Sequence, residues 1–185
     1  MKNNHTWVIC AYGESEFLEA CILSLQAQTL QSKIVCYSST PLDSIKQLCQ
    51  KYGIPFYTKE GGGIGKDWNN ALTFVETSYA TIAHQDDYYE PTYLEAVMQK
   101  IEQSKDILIA YTDYFEEKNG VKIPANTNLK IKTLMLKTLN LMPSSRFWRN
   151  RVLAFGNPIS CPAVTYNLEA LRDFQFDEEM RVSLD

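Results

Sequence analysis

Strand-like and helix-like segments alternate as far as Tyr111, and nothing else in the chain restricts the fold so tightly. Thr6–Ala11 is apolar and strand-like. Ser15 reads as a cap before Phe17, Leu18, Cys21, Ile22 and Leu25, which recur at helical spacing. Lys33–Tyr37 is a second strand. Pro41 opens a helix through about Tyr52, with Ile45, Leu48 and Cys49 on one face, and Gly53 ends it. Ile54–Thr58 is a third strand, followed by the glycine loop Gly61–Gly65 and a helix near Lys66–Glu76. Tyr79–Ala83, a helix over Pro91–Gln103 and Ile107–Tyr111 complete a βαβαβαβαβ series with short connections. Such a series predicts an α/β fold, with a mainly parallel central sheet and helices on both faces.

The second half reads differently. Phe115–Ile123 contains Asn119-Gly120, a hairpin signal. Leu129–Leu141 is helical. Ser144–Phe155 mixes Arg146, Arg149 and Arg151 with Phe147, Trp148, Val152 and Leu153 and reads as a basic amphipathic helix. Pro158–Thr165 is a strand and Leu168–Phe174 a short helix. One domain over 1–185 is expected, in two halves over 1–113 and 114–185. The end at Val182-Ser183-Leu184-Asp185 has no polar tail, so the chain reads as cut short at its C-terminus.

Net charge is −4, which argues against a nucleic-acid partner. The five cysteines form no CxxC pair, and no histidine stands at zinc-finger spacing; they read as reduced, mostly buried thiols. No apolar run reaches the length of a membrane span, and Met1–His5 leads straight into a strand with no secretory h-region. A cytoplasmic protein is expected, with peripheral contact at the inner membrane surface left open.

The chemistry concentrates in Thr81-Ile82-Ala83-His84-Gln85-Asp86-Asp87-Tyr88-Tyr89-Glu90-Pro91. An apolar strand ends there in adjacent carboxylates, at the sheet edge where open α/β folds bind ligands. Two neighbouring carboxylates are hard to keep ionised without a cation, and their oxygens suit Mg²⁺ or Mn²⁺, which usually accompany a diphosphate. The plainer reading is a pair of loop acids near the start of a helix at Pro91. Gly61–Gly65, with Gly63 at its centre, matches neither GxxxxGK[ST] nor GxGxxG; it is a loop whose backbone approaches a phosphate, or a surface turn. Asp67, Trp68, Asn69 and Asn70 open the next helix, where Asn69 either bonds a nucleotide edge or satisfies the helix start. Ser38, Ser39 and Thr40 bring hydroxyls to the end of the second strand, although an N-cap at Thr40 with Pro41 following would explain them equally. Ala11, Tyr12 and Glu14 end the first strand and could line the same cleft, since every parallel strand points its carboxyl end there; Glu14 is otherwise a helix N-terminal charge. His84 is kept as a site candidate because it stands two residues before Asp86, and Gln85 lies between them. The arginines of 144–155 form a solvated face or meet a diphosphate, an anionic acceptor or a membrane surface.

Together these segments resemble family 2 of the inverting glycosyltransferases, which have the GT-A fold. Val8–Tyr12 with Phe17–Thr29, ending Ser24-Leu25-Gln26-Ala27-Gln28-Thr29, looks like the family's opening strand and its "SLxxQT" helix. Gly61–Gly65 with Asn69 and Ala71 looks like its "N-x-G-x-x-x-A-x-N" region, Thr81–Pro91 like its DxD strand end, and Pro158–Tyr166 like its acceptor-side strand. The chain departs from the pattern in three places. His84 replaces the first acid of DxD, Tyr37-Ser38-Ser39-Thr40 replaces an acidic "DDGS", and Trp68 stands where "ARN" has its arginine.

The resemblance implies metal-assisted transfer of a sugar, with inversion, from a nucleoside diphosphate sugar to the hydroxyl of a saccharide or lipid-linked acceptor. Mn²⁺ or Mg²⁺ would sit on Asp86 and Asp87. Ala11, Tyr12, Glu14, Ser38, Ser39, Gly63, Asp67, Asn69, His84 and Gln85 would hold the nucleotide, and Asp185 would be the catalytic base. Trp148 and Ser160–Ala163 would lie nearer the acceptor. The departures at His84 and Ser38 motivate the alternative of a non-catalytic sugar-nucleotide-binding module. A nucleotidyltransferase would need a basic glycine loop after the first strand, which Ala11–Glu14 does not offer, and the second half is too long for a receiver-type domain.

Overall fold

The computed structural model describes residues 4–104, 107–118 and 120–179. The elements in chain order are β1 (His5–Cys10), α1 (Leu18–Gln26), β2 (Lys33–Tyr37), α2 (Asp43–Lys51), β3 (Phe56–Tyr57), α3 (Ile64–Leu72), β4 (Tyr79–His84), α4 (Tyr93–Glu102) and β5 (Ile109–Tyr111). After them come β6 (Glu117–Lys118), β7 (Val121–Lys122), α5 (Thr127–Leu139), α6 (Arg146–Leu153), a 3₁₀ turn at Cys161–Ala163, and β8 (Val164–Asn167).

Strand β1 is central because nearly every side chain on it is apolar or satisfied, so both its faces can be covered. Its alternation separates two cores. Trp7 and Ile9 join α1, α2 and α4 through Leu18, Ile22, Ile45, Leu94 and Val97. Val8 points the other way, toward Ala71 of α3, with Val35, Tyr37 and Ala80. Burial of each of these large side chains is worth roughly 1.5–3 kcal/mol, and a one-residue slip of β1 would exchange the faces. The register is set on both sides, with Cys10 opposite Tyr37 of β2 and opposite His84 of β4. The carboxyl ends of β1, β2 and β4 are therefore level.

The sheet runs β3-β2-β1-β4-β8-β5. Neighbours among β1 to β4 are parallel, as the alternation predicts, and β8 is antiparallel to β4. β5 does not neighbour β4: β8 from the end of the chain separates them, paired to the β5 edge through Asn167 N–H donating to Leu108 O at 2.9 Å. A buried polar chain fixes this insertion. His5 Nε2 lies 2.9 Å from Thr81 Oγ1, Thr81 lies 2.6 Å from Thr165 Oγ1 on β8, and Tyr93 Oη of α4 reaches Thr165 at 3.3 Å.

The structure corrects several boundaries. Helix α2 starts at Asp43 behind Leu42, so Thr40 is not its cap and Pro41 is not its first residue. Helix α4 starts at Tyr93, two residues after Pro91. Helix α1 starts at Leu18, and Ser15 Oγ accepts from Phe17 N–H without capping it. The last strand is Val164–Asn167 rather than 158–165, because Cys161–Ala163 turn as a 3₁₀ segment. Residues 168–174 form turns rather than a helix.

The chain divides into two compact units. Among the described residues, one holds those through Ala110 and Val164–Glu179; the other is Tyr111–Ala163. The first contains the sheet because β8 returns to it. In the second, α5 and α6 pack together, and Trp148 Nε1–H donates to Thr138 O at 2.7 Å.

Candidate active site

A cleft of about 660 Å³ opens in the first unit at the carboxyl ends of β1, β2 and β4. Its walls are Cys10–Tyr12, Tyr37, Ser39 and Thr40, Gly61–Ile64 with Asp67 and Trp68, and His84–Asp86. Its size suits a small-molecule ligand. Four segments far apart in sequence meet here because parallel strands in level register deliver their following loops to one edge.

The acidic corner is built on the turn after β4. Asp87 N–H donates to His84 O at 3.2 Å, which brings His84 Nδ1 within 3.7 Å of Asp87 Oδ2. His84, Asp86 and Asp87 offer one ligand atom each, all within 4.8 Å of one another. Two ligands at about 2.1 Å from one ion stand at most about 4.2 Å apart, so small side-chain shifts would bring all three onto a common ion. Two carboxylates suit Mg²⁺ or Mn²⁺, and the imidazole favours the transition ion. Burial, with the adjacent Asp86 charge adding to it, raises the Asp87 carboxyl above its ordinary range, against the opposing pull of His84. A bound cation would relieve that strain on the charged form. Burial and the same two acids push the nearby Cys21 thiol up to about 12, and Cys21 Sγ–H donates to His84 O at 3.3 Å. The thiol is thus an inert support. The His84 ring stacks on Trp68, with centroids 5.5 Å apart.

The end of α1 grips the far side of this turn. Ser24 Oγ accepts from Tyr89 N–H at 3.1 Å. Gln28, almost fully buried, donates to Glu90 O at 2.9 Å and accepts from Leu94 N–H at 3.0 Å. Thr29 N–H donates to Pro91 O at 2.8 Å. The Ser24–Thr29 stretch therefore positions the loop that carries the acids. The sequence quotes these residues as a motif without indicating this task, because their partners lie more than sixty residues away.

On the other wall, Asp67 projects from the first turn of α3, where the helix dipole favours a negative charge. Ser39 Oγ donates to its Oδ2 at 2.9 Å and Tyr37 Oη to its Oδ1 at 3.3 Å. Asn70 Nδ2–H donates to Tyr37 Oη at 3.2 Å. Burial is the main reason the Tyr37 phenol lies above its usual range. Gly63 adopts φ +114°, which only glycine holds without strain, and a Cβ at Gly61 would come within 2.5 Å of Ser39 Cβ. The glycine loop thus lies directly on Ser39 and Asp67. Tyr37 and Asn70 belong to this wall and were not marked by the sequence; Tyr37 was findable as the last residue of a parallel strand.

The remaining candidates separate. Ala11, Tyr12 and Gln85 line the cleft, and the Gln85 amide is joined to the Tyr12 backbone twice, accepting from N–H at 3.1 Å and donating to O at 2.8 Å. Ser38 is buried behind the wall, where its Oγ accepts from Thr40 N–H. Glu14 is exposed and does not line the cleft. Asn69 faces away from it. Its amide accepts from Phe176 N–H at 2.8 Å and donates to Phe176 O at 2.9 Å, while Gly65 leaves room for the carbonyl of Asp177. Asn69 thereby clasps the segment at 176–177 to α3. Asp185 lies outside the described residues.

Residues 6–162 match the profile of Glycosyl transferase family 2. The chain belongs to that family. A glycosyltransferase of Streptococcus pneumoniae, GlyA, is 25% identical over 123 residues, covering 63% of this chain and 18% of that protein. The S. aureus TarS fragment 1–349 superposes with a TM-score of 0.70 at 20% identity, over 97% of this chain and 52% of that one. The same fragment solved in complex with UDP-GlcNAc gives 0.69 at 20% identity, over 98% and 50%. A mannosyltransferase of Pyrobaculum calidifontis, solved in complex with GDP-Man and Mn²⁺, gives 0.60 at 12% identity, over 95% and 48%. The family 2 chain thus has the GT-A fold of these enzymes and spans about half the length of the solved structures it matches.

Proposed function

We propose that this family 2 domain transfers a sugar from a nucleoside diphosphate sugar to an acceptor hydroxyl, with inversion and with a divalent ion at His84, Asp86 and Asp87. The observation that carries the reading is the single cleft joining that acidic corner to the Gly61–Gly63 loop and Asp67. A bound Mn²⁺ or Mg²⁺ would supply Lewis-acid neutralisation of charge on the departing diphosphate. Asp86 is exposed toward the ligand and Asp87 is partly withdrawn, so the pair combines an accessible ligand with a supported one. Asp67 replaces the acid missing after β2. It comes from α3 instead, and with Ser39 it offers an acceptor to ribose hydroxyls or a base N–H. The backbone of Gly61–Gly63 approaches the nucleotide where a side chain would block it. Asp185 would accept the proton of the attacking hydroxyl as the new glycosidic bond forms and the bond to the diphosphate breaks.

The S. aureus and P. calidifontis complexes make uridine and guanosine diphosphate sugars the first donors to try. The experiment is nucleoside diphosphate release with Mn²⁺ or Mg²⁺ over a panel of donors and saccharide acceptors, with the product anomer read by NMR. The expected result is metal-dependent release with the anomeric configuration inverted. Retention of configuration, or release unaffected by chelator, contradicts the proposal. Asp185→Ala should cut transfer by about 10²–10⁴-fold and leave donor binding intact; an unchanged rate removes Asp185 as the base.

A further inference from the structure

The second unit carries a surface that the donor site does not use. From Lys118 to Leu168 the chain has eight Lys and Arg residues and no Asp or Glu, although its net charge is −4. On α5, Leu129, Leu136 and Leu139 are buried, and the opposite side presents Lys130, Ile131, Leu134 and Lys137. Lys130, Leu134 and Lys137 are spaced four and three apart, and Ile131 lies beside them on the same face. Leu134 is 62% exposed. The turn to α6 adds Leu141 and Met142, both exposed. Helix α6 buries no residue among those described and shows Phe147 at 68% exposure, with Arg151 over its ring at 5.2 Å, and Phe155 beyond it is 88% exposed. Single exposed apolar residues are ordinary, but a run of large ones interleaved with cations on two packed helices is not.

We propose that the α5–α6 pair binds anionic lipid headgroups at a membrane–water interface, with Leu134, Leu141, Met142, Phe147 and Phe155 entering the boundary and the Lys and Arg side chains meeting phosphate. Charge selects this occupant: α5 and α6 carry six Lys and Arg residues and no Asp or Glu, which complements a negative surface. The apolar side chains separate lipid from a soluble polyanion, which would engage the cations and leave five large apolar groups in water. No helix among the described residues is long and apolar enough to cross a membrane, and the proposed contact of α5 and α6 lies along the interface. The inference does not rest on the transferase reading.

The test is cosedimentation of the full chain with phosphatidylcholine vesicles, with and without phosphatidylglycerol, at low and high ionic strength. Binding is expected to the anionic vesicles only and to weaken with salt. Reversing Lys137 and Arg151 together to Glu should lower partitioning by about tenfold or more, and Phe147→Ser with Leu134→Ser by about tenfold or more, each variant checked for a wild-type circular dichroism spectrum. Equal binding to neutral vesicles, or none to either, overturns the proposal. So does polyphosphate binding at wild-type strength by the Ser variant when its vesicle binding is also unchanged, which would identify a polyanion site. A self-association seen by sedimentation velocity that the Ser variant abolishes, without vesicle binding, would assign the face to a second copy instead.

Discussion

In the proposed donor site, Asp67 is the residue on which nucleoside recognition would depend most. It holds Ser39 and Tyr37 at the end of β2, at the mouth of a helix dipole, beside a glycine loop whose Gly61 has no room for a side chain. Asp67→Ala should weaken nucleoside diphosphate binding by about tenfold or more, the equivalent of one charged hydrogen bond, with the thermal unfolding midpoint little changed because the residue is half-exposed. Titration calorimetry checks this, and wild-type affinity would place the nucleoside elsewhere. Asp86 and Asp87 were legible in the sequence because an apolar strand leads into them and its end must lie at the sheet edge. Spacing alone showed Asp67 as a helix-start acid, and only the family resemblance named it for the nucleotide. Its task depends on Ser39, 28 residues away, and on the parallel register that brings them together.

At the scale of elements, the βα alternation was readable as far as β4, because each segment carries its own periodicity and breakers. The position of β8 was not. A strand that returns from the far end of the chain to separate β4 from β5 leaves no local signal, and its anchor is the buried chain His5–Thr81–Thr165–Tyr93. Burial lowers the His5 pKa from 6.5 to about 3. Above pH 6.5 the imidazole is neutral in folded and unfolded chains alike. Below it the unfolded chain takes the proton first, so stability present at neutral pH falls as pH drops from 6.5 toward about 3, by an amount on the order of a few kcal/mol. His5→Gln keeps a donor and an acceptor and cannot titrate; thermal melts from pH 7 to acid should show its decline flattened relative to the wild type, and parallel curves would exclude His5 as the cause. The end of α1 makes a second element-scale prediction. Gln28→Ala leaves the buried Leu94 amide without its acceptor and removes one of the two donors to the Glu90 carbonyl, which keeps Tyr93 N–H, costing roughly 1–3 kcal/mol, and loosens the acidic turn. A drop in the denaturation midpoint together with weaker Mn²⁺ binding is expected; lost stability with unchanged Mn²⁺ affinity would confine Gln28 to the core.

Across the whole molecule, the two halves differ in how their residues are constrained. The first unit is a sheet whose order, register and loop positions follow from burial on both faces of β1, and its cleft is a consequence of that geometry. The sequence placed the boundary between the halves of the chain near residue 113; compact packing places Tyr111–Ala163 in one unit and returns Val164–Glu179 to the other, since β8 belongs to the sheet. The helices of the second unit were readable from spacing, and their exposed faces became visible only once α5 and α6 were seen to pack on each other through Trp148 and leave Leu134, Phe147 and Phe155 outside. The central claim concerns the cleft, and the most direct measurement is calorimetric titration of a nucleoside diphosphate into the wild type and Asp86→Ala, each with Mn²⁺ and with chelator. The account predicts binding that Mn²⁺ strengthens by about tenfold or more in the wild type and leaves unchanged in Asp86→Ala. Equal Mn²⁺ enhancement in both proteins would contradict it.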